Sequence, residues 1–286
     1  MRWVALAGIA TAGCGRVGFE HQDAALDVID IDAATCPTPS SWSAPVLHAA
    51  LTSPVQDWSP ALSGDTLRIV FQSDRTGDSE LFEATRASAT AMFGGPTALT
   101  PLNSMGEEQA PTLSVDGLVI FFTSDRSGAH VLYRATRAAV SAPFDPPVSI
   151  TIAGAAEVYG PTISATGREL FFNDATEETA YRAVFDGSQF RLDRMLAELG
   201  PCSYPSLSAD ERTIYFSRLD GVSRRLFSAT RLSIDAPFGL ATLVENADLS
   251  GDEDDPEIGK DNMTIAFAGD VSMGNAQIYL STRTCQ

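Results

Sequence analysis

The sequence predicts an all-β fold, a five-bladed β-propeller built from five copies of one repeat of about 50 residues. One proline recurs at spacings of 51, 50, 44 and 51 residues, at Pro60, Pro111, Pro161, Pro205 and Pro256. A phenylalanine follows each proline eleven positions later, at Phe71, Phe122, Phe172, Phe216 and Phe267. Five matches out of five at a fixed offset are hard to obtain by chance, so the repeat is real.

Each repeat is predicted to contain four strands. After a first strand around the proline, β-branched and aromatic runs at 67–72, 118–123 and 213–217 indicate a second strand. A tight turn such as Ser73-Asp74-Arg75-Thr76-Gly77 leads to a third strand at 80–86, 131–137 or 225–231. A last aromatic then opens the fourth strand, at Phe93, Phe144, Phe190 or Phe238. Four strands without helical periodicity are typical of a propeller blade.

The fifth repeat lacks an outer strand, and the N-terminal part of the domain is predicted to supply it. The distance from Trp42 to Pro60 is 18 residues, as is the distance from Phe93 to Pro111. Trp42 therefore takes the place of the last aromatic, and residues 42–50 are expected to pair with residues 277–283. Such closure leaves no long unpaired edge.

Two cysteines flank this seam, Cys36 before its first strand and Cys285 after the strand with which it should pair. We expect a disulfide between them, closing a loop of 249 residues (285 − 36) and leaving Cys202 reduced. In the chain-entropy model the bond is worth on the order of 5 kcal/mol. Two separate free thiols are the alternative.

The N-terminus is predicted to be an export leader, with Arg2 followed by a short apolar run from Trp3 to Ala12. The sequence Thr11-Ala12-Gly13-Cys14 resembles the lipobox of bacterial lipoproteins, with threonine in place of the usual leucine. The prediction is a signal peptide at 1–13, a lipidated Cys14 with an acidic tether at 14–41, and a propeller at 42–286. A buried N-terminal segment, or a loose edge strand at 26–32, is the alternative. The expected location is the bacterial cell envelope, periplasmic or at the cell surface.

The charge balance restricts the classes of partner. The formal net charge is −18, from 37 acidic and 19 basic residues, and Lys260 is the only lysine. Such a surface repels nucleic-acid phosphates and anionic headgroups. We therefore expect no nucleic-acid partner, membrane attachment through the lipid alone, and a monomer.

The repeat pattern is Pro-x-Leu/Ile-Ser, Ile-x-Phe, Ser-Asp-Arg-x-Gly and Leu-Phe/Tyr-x-Ala-Thr-Arg. It resembles the repeat of TolB-type propellers over about residues 42–285. TolB has six blades behind an N-terminal α/β domain, whereas five repeats and no such domain are found here. The third repeat departs from the pattern, with Asn173-Asp174 and Ala183-Val184. The resemblance implies a propeller that binds an envelope protein, without identifying TolB's own partner as the ligand.

Acidic residues just before the marker prolines are predicted to gather at one mouth of the central channel. The candidate binding residues are Asp57, Trp58, Glu107, Glu108, Glu157, Tyr159, Asp252 and Glu253. Such a negative funnel suits a cation, a basic peptide or a sugar. A solvated acidic rim is the alternative.

A weak Ca²⁺ site is also considered at Asp248, Asp252 and Asp254, whose spacing differs from that of an EF-hand; no other cofactor is expected. Metalloprotease, nucleophile-elbow and phosphate-loop motifs are absent from the sequence. The predicted function is a non-catalytic, envelope-anchored, protein-binding scaffold. The alternative is a propeller glycoside hydrolase or carbohydrate-binding protein, in which two of the three residues Asp57, Glu108 and Glu253 supply the pair of carboxylates that hydrolysis requires.

Overall fold

The computed structural model describes residues 36, 39–174, 178–270 and 274–286. These residues form twenty β-strands and a 3-10 helix at Ala197–Leu199. The strands are β1 Val46–Leu47, β2 Asp57–Leu62, β3 Arg68–Ser73, β4 Glu80–Thr85, β5 Thr97–Ala98, β6 Glu108–Leu113, β7 Val119–Ser124, β8 Val131–Thr136, β9 Val148–Ile150, β10 Tyr159–Ile163, β11 Glu169–Asp174, β12 Thr179–Phe185, β13 Phe190–Met195, β14 Ser203–Leu207, β15 Thr213–Asp220, β16 Ser223–Thr230, β17 Thr242–Leu243, β18 Asp252–Ile258, β19 Thr264–Asp270 and β20 Gln277–Thr282.

The strands form five antiparallel sheets of four strands each, which confirms the predicted five-bladed propeller. Four blades follow chain order: β2–β5, β6–β9, β10–β13 and β14–β17. The fifth has the order β18-β19-β20-β1. The first strands β2, β6, β10, β14 and β18 contact one another in sequence, and β18 contacts β2, so the ring closes around a central axis.

The seam between the chain ends follows the prediction. Strand β1 pairs with β20 through Val46 opposite Leu280. Trp42 is buried, and the guanidinium of Arg283 lies 4.3 Å from its ring centroid. Arg86 lies over Phe93 in the same manner, at 4.7 Å. Trp42 therefore takes the aromatic position of the fifth blade.

The predicted disulfide is also present. Cys36 and Cys285 are bonded, with 5.4 Å between their Cα atoms. Cys202 is a free, buried cysteine, and burial raises the pKa of its thiol to about 11. The proposed leader, Cys14 and most of the tether lie outside the described residues. Among the residues described, no helix is long and apolar enough to cross a membrane.

The core lies between neighbouring blades, where the phenylalanines of the second strands are fully buried. Phe71, Phe122, Phe216 and Phe267 are 0% exposed and Phe172 is 2% exposed. Their fixed offset from the prolines is thus a packing requirement, because the same interior position recurs in each blade.

A β-bulge interrupts every first strand at the same point. The residue before each marker proline has a left-handed backbone, with φ of 49°, 48°, 55°, 52° and 52° at Ser59, Ala110, Gly160, Tyr204 and Asp255. The pairing register shifts there in all five blades. Proline is tolerated in a strand at such a bulge because the ladder hydrogen bond is already lost.

Candidate functional site

The five bulges surround a small cavity on the propeller axis. All five marker prolines line it, together with the residues that precede them and with Thr162 and Glu257. Its volume is about 20 Å³, and a site of roughly 10–15 Å³ or more holds a single water molecule. A sugar ring or a peptide therefore does not fit inside the axis, and any large ligand must bind above it.

The carboxylates three residues before the prolines do not face the channel opening. Asp57 and Glu108 are 0% exposed and Glu253 is 1% exposed. Val158 and Cys202, which hold the same position in the third and fourth blades, are buried as well. In all five repeats the side chain at this position is buried in the blade. The prediction that Asp57, Glu108 and Glu253 line the channel mouth is therefore wrong.

Each of these buried carboxylates is paired with an arginine. Asp57 Oδ1 lies 2.7 Å from Arg75 Nη2. Glu108 Oε1 lies 3.0 Å from Arg126 Nη2. Glu253 Oε2 lies 2.8 Å from Arg225 Nε. Buried charges persist when they are paired and hydrogen-bonded, which gives these three pairs a structural role.

Backbone donors complete the environment of the buried carboxylates. The backbone N–H groups of Ser53, Ser104 and Leu249, each four residues upstream, donate to Asp57, Glu108 and Glu253 at 2.8, 2.8 and 2.7 Å. Burial raises the pKa of Glu253, and the Leu249 N–H and Arg225 oppose that rise. The carboxylates thereby hold the loops that lead into β2, β6 and β18.

The other candidates from the sequence do lie at the rim of this end of the channel. Glu107, Glu157 and Asp252 are exposed. Trp58 and Tyr159 are half-buried at the start of β2 and β10. These five residues can meet a ligand, whereas the paired carboxylates cannot.

Tyr204 and Gln109 join the rim without having been singled out by the sequence analysis. The Tyr159 hydroxyl donates to Gln109 Oε1 at 2.9 Å, and Gln109 Nε2 donates to Glu107 Oε2 at 2.8 Å. The rings of Tyr159 and Tyr204 meet edge to face at 6.0 Å, and His130 meets Tyr159 at 6.1 Å. The sequence did contain a signal for them: Gln109 and Tyr204 are polar or aromatic residues one or two positions before a marker proline, as Trp58 and Tyr159 are.

Two adjacent carboxylates, Asp254 and Asp255, lie where the rim meets the cavity. Asp255 Oδ2 accepts hydrogen bonds from the backbone N–H and hydroxyl of Ser59, at 3.0 and 2.7 Å. Asp255 Oδ1 is buried without a partner. Asp254 accepts from the Ser217 hydroxyl and lies 3.4 Å from Arg224 Nε. Burial and the neighbouring Asp254 hold the pKa of Asp255 well above its usual range.

The residues considered for Ca²⁺ are engaged with arginines instead. Asp248 is paired with Arg225, Asp252 accepts the backbone N–H of Arg224 at 2.9 Å, and Asp254 contacts the Arg224 side chain. In the part of the chain that the structure describes, no group of three or more His, Cys, Asp or Glu side chains is arranged to hold a metal ion.

We refer below to Trp58, Gln109, Tyr159, Tyr204, Asp254 and Asp255 as the channel mouth. Within it Tyr159 bonds to Gln109, whereas Asp254 and Asp255 bond to Ser217, Arg224 and Ser59 outside it. Its rings are half-buried above a cavity for a single water molecule. Chemically it offers aromatic surface and polar groups to a ligand that stays outside the axis, and the neighbouring exposed Glu107, Glu157 and Asp252 add negative charge.

No protein-family model and no curated protein matches the sequence. Among solved structures, TolB from Acinetobacter baumannii is similar over 83% of this chain, with 17% identity and a TM-score of 0.52. The match covers 56% of that chain, so this protein spans about half the length of TolB.

Two arabinofuranosidases are similar as well. An α-L-arabinofuranosidase from Podospora anserina, solved with cellotriose, matches over 87% of this chain and 98% of its own, with 12% identity and a TM-score of 0.63. The catalytic domain of an α-L-arabinofuranosidase from Coprinopsis cinerea matches over 85% and 96%, with 13% identity and a TM-score of 0.61. At these identities the likeness shows the propeller fold alone.

Proposed function

We propose that this chain is a non-catalytic propeller that binds an envelope protein or peptide at the channel mouth. The observation that carries the proposal is the axial cavity of about 20 Å³ beneath a half-buried rim of aromatic and polar side chains. A binding surface of this form suits a macromolecule that contacts the rim, since catalytic pockets are clefts of roughly 300–1,000 Å³.

The composition of the mouth also supports a protein ligand. Tyrosine and tryptophan are enriched at protein interfaces because they combine large apolar area with a polar group. Glu107, Glu157 and Asp252 add exposed negative charge around Trp58 and Tyr159, on a chain whose net charge is −18. The ligand that complements such a rim carries basic residues.

The proposed location is the cell envelope. We propose that the chain is a monomer and that a lipid on Cys14 anchors it there. The disulfide between Cys36 and Cys285 supports export, because such bonds persist in oxidising compartments. The lipid anchor rests on the lipobox resemblance at 11–14. Mass spectrometry of the mature chain tests it: a diacylated Cys14 supports the anchor, and an unmodified Cys14 contradicts it.

A glycosidase is the second candidate, and one observation favours it. Asp255 lies at the mouth with a raised pKa, as the general acid of a glycosidase requires. The three carboxylates first considered for hydrolysis are buried against arginines, so a glycosidase would have to use Asp255 with Asp254 or with one of the rim carboxylates Glu107, Glu157 and Asp252. Hydrolysis of an aryl α-L-arabinofuranoside to the free phenol and arabinose by the native chain, lost in Asp255→Asn, would contradict the binding proposal and support the glycosidase.

The binding proposal is tested by affinity capture from envelope extract with two matched double variants. Trp58→Ala/Tyr159→Ala alters the mouth, and Val148→Ala/Leu243→Ala removes exposed apolar side chains from outer strands. The native chain and the outer-strand variant should recover the same protein in equal amounts. The mouth variant should recover at least about tenfold less of it, which corresponds to a loss of about 1.4 kcal/mol in binding free energy. Equal recovery by both variants would contradict the proposal.

A further inference from the structure

The hairpin of β15 and β16 in the fourth blade is longer than its counterparts in the first two blades. The second strand of a blade runs back toward the channel mouth, because it is antiparallel to the first. Strand β15 ends at Asp220, 15 residues after its marker proline, whereas β3 and β7 end 13 residues after theirs. The additional pairs, Leu219 opposite Arg224 and Asp220 opposite Ser223, lengthen the paired hairpin by about 7 Å at the mouth end. We name residues 218–225 the arm.

The tip of the arm, residues 219–222, is apolar where a hairpin turn is ordinarily polar. Gly221 has a φ of 67°, as the first central position of a tight hairpin turn requires. The turn has no such requirement for a valine in the next position, where glycine, asparagine, aspartate and serine are usual. Val222 is nevertheless 97% exposed, and Leu219 is 60% exposed. Because the fold does not require these exposed apolar side chains, they favour a contact surface.

Arg218 fixes the base of the arm. Its guanidinium donates to the carbonyl oxygens of Leu199 and Pro201 and lies 4.8 Å from the ring centroid of Phe227. In the first blade Arg75 makes the equivalent contacts from within the turn, 15 residues after its marker proline. Arg218 makes them from β15, 13 residues after its own. The end of the fourth-blade hairpin therefore does not fold back, and its strands continue to the tip.

Arg224 holds the arm between the third and fifth blades. Its Nη2 lies 2.5 Å from Glu178 Oε1, and its Nε lies 3.4 Å from Oδ2 of Asp254 in the channel mouth. Its backbone N–H donates to Asp252 Oδ1 at 2.9 Å. An arm fixed on both sides loses little conformational freedom when a ligand contacts its tip, which lowers the cost of binding.

Direct contacts connect the arm with the rings of the channel mouth. Arg224 Nη1 donates to Ser203 Oγ at 3.0 Å, and Ser203 immediately precedes Tyr204. The ring of Tyr204 meets that of Tyr159 at 6.0 Å, and the Tyr159 hydroxyl donates to Gln109 of the second blade. A ligand that lies across the mouth at the fourth blade therefore also reaches the arm.

Carboxylates surround the tip and determine the charge of a complementary ligand. Among the described residues, the arm and the carboxylates that it contacts comprise three arginines and six acidic groups, a formal charge of −3 (3 − 6). The acidic groups are Glu178, Asp220, Asp248, Asp252, Glu253 and Asp254. Such surroundings attract basic residues and repel acidic ones. A complementary segment therefore places an apolar side chain on the tip and lysine or arginine beside it.

We infer that the tip of the arm is the specificity element of the channel mouth, and that it selects a protein segment in which an apolar side chain lies next to lysine or arginine. This inference rests on the proposed function, because it concerns the ligand of the same end of the propeller. The rings of the mouth provide contact area to many sequences. The tip and its carboxylates together exclude segments that lack either the apolar or the basic residue.

The inference is tested with a phage-displayed library of random peptides of about twelve residues, selected on the native chain. The enriched peptides are synthesised with a fluorophore, and fluorescence anisotropy measures their dissociation constants. The tip variant is Leu219→Ser/Val222→Ser. The matched control is Leu232→Ser/Leu240→Ser, which removes two leucines, each 92% exposed, between β16 and β17 at the opposite end of the blade. Urea unfolding shows that both variants are folded as the native chain is.

The enriched peptides should contain an apolar residue flanked by lysine or arginine. The tip variant should bind them at least about tenfold more weakly than the native chain, and the control variant should bind them equally well. Binding to the native chain should also weaken as NaCl rises from about 0.05 M to about 0.5 M, because salt screens exposed charges. Enriched peptides without this pattern, equal binding by the tip variant and the native chain, or no enrichment would overturn the inference.

The mouth variant Trp58→Ala/Tyr159→Ala separates this inference from the proposed function. If the mouth variant loses the peptides and the tip variant retains them, the mouth binds a ligand that the tip does not select, and the inference alone fails. If the tip variant loses them and the mouth variant retains them, the tip selects the peptides without the mouth, and the proposed binding at the mouth is contradicted.

Discussion

Replacing Arg75 by alanine tests whether the buried carboxylates before the prolines have a structural role. Arg75 Nη2 donates to Asp57 Oδ1 at 2.7 Å and to Leu51 O at 2.6 Å. Its guanidinium lies 4.8 Å from the ring centroid of Phe82. Without it, Asp57 is a fully buried carboxylate with hydrogen bonds from Ser53 alone.

Removing one partner of a buried pair costs about 3–5 kcal/mol, because the remaining charge stays buried without compensation. Because Ser53 still donates two hydrogen bonds to Asp57, we expect Arg75→Ala to lower the free energy of unfolding by about 3 kcal/mol, the lower end of that range. Equilibrium unfolding in urea measures the loss as a lower midpoint at an unchanged slope. Arg126→Ala is expected to behave alike, since it removes the partner of Glu108.

Arg68→Ala is the matched control. Arg68 is paired with Glu83 at 3.4 Å, and both side chains are partly exposed, so its loss should cost no more than about 1 kcal/mol. The double variant Asp57→Ala/Arg75→Ala should recover part of the stability, since it leaves no unpaired charge. An Arg75→Ala variant that unfolds at the same urea concentration as Arg68→Ala would refute the structural role.

Three further predictions follow from the cavity, the seam and the free thiol. Because the pKa of Asp255 is raised in the folded state, its carboxyl binds more proton when folded than when unfolded, and the native free energy of unfolding should fall as pH rises from about 4. In urea titrations between pH 4 and pH 8, the free energy of unfolding of Asp255→Asn should fall less with pH than that of the native chain. If both chains show the same dependence on pH, a raised pKa at Asp255 is contradicted. Cys36→Ser/Cys285→Ser should speed hydrogen exchange in β1 and β20 while β2 and β6 stay protected; uniform acceleration would show that the bond stabilises the whole ring. Cys202, with a thiol pKa of about 11, should resist iodoacetamide at pH 8 until the chain unfolds, and rapid alkylation of the folded chain would contradict its burial.

The fold was predictable because the positions that specify it recur in the sequence. The phenylalanines eleven residues after the prolines are the buried centres of the second strands, and Trp42 showed where the ring closes. The start of the fourth strands was less accurate. Phe93 lies four residues before β5, in the connector that leads to it. Its ring packs under the guanidinium of Arg86, so the aromatic position is set by that contact and does not mark the first residue of the strand. Only Phe190 begins its strand, β13.

The site was predicted only in part, because side-chain direction depends on the bulge. A bulge inserts an extra residue, so alternation counted from the proline does not give the direction of the residues before it. Asp57 and Glu108 therefore point into their blades, and Trp58 and Tyr159 remain at the mouth. A usable signal was present: Arg75 follows Asp57, and Arg126 follows Glu108, by the same 18 residues.

The repeat pattern of the sequence did not predict that the adjacent residues Asp254 and Asp255 would lie together at the channel mouth. In the other four blades the residue at the bulge is Ser59, Ala110, Gly160 or Tyr204, so an aspartate there has no counterpart in the repeat. Its contact with Ser59 joins the fifth blade to the first, and depends on the ring closure that only the folded chain provides.

The central claim is that the channel mouth binds a protein, and site-specific photocrosslinking in living cells tests it most directly. A photoreactive phenylalanine analogue replaces half-buried Tyr159 at the mouth in one chain and exposed Val148 on an outer strand in the other. The account predicts one dominant crosslinked protein from position 159, competed by added native chain, and none of that product from position 148. Crosslinks of equal yield from both positions, or none from position 159 in a chain that is folded and exported, would contradict it.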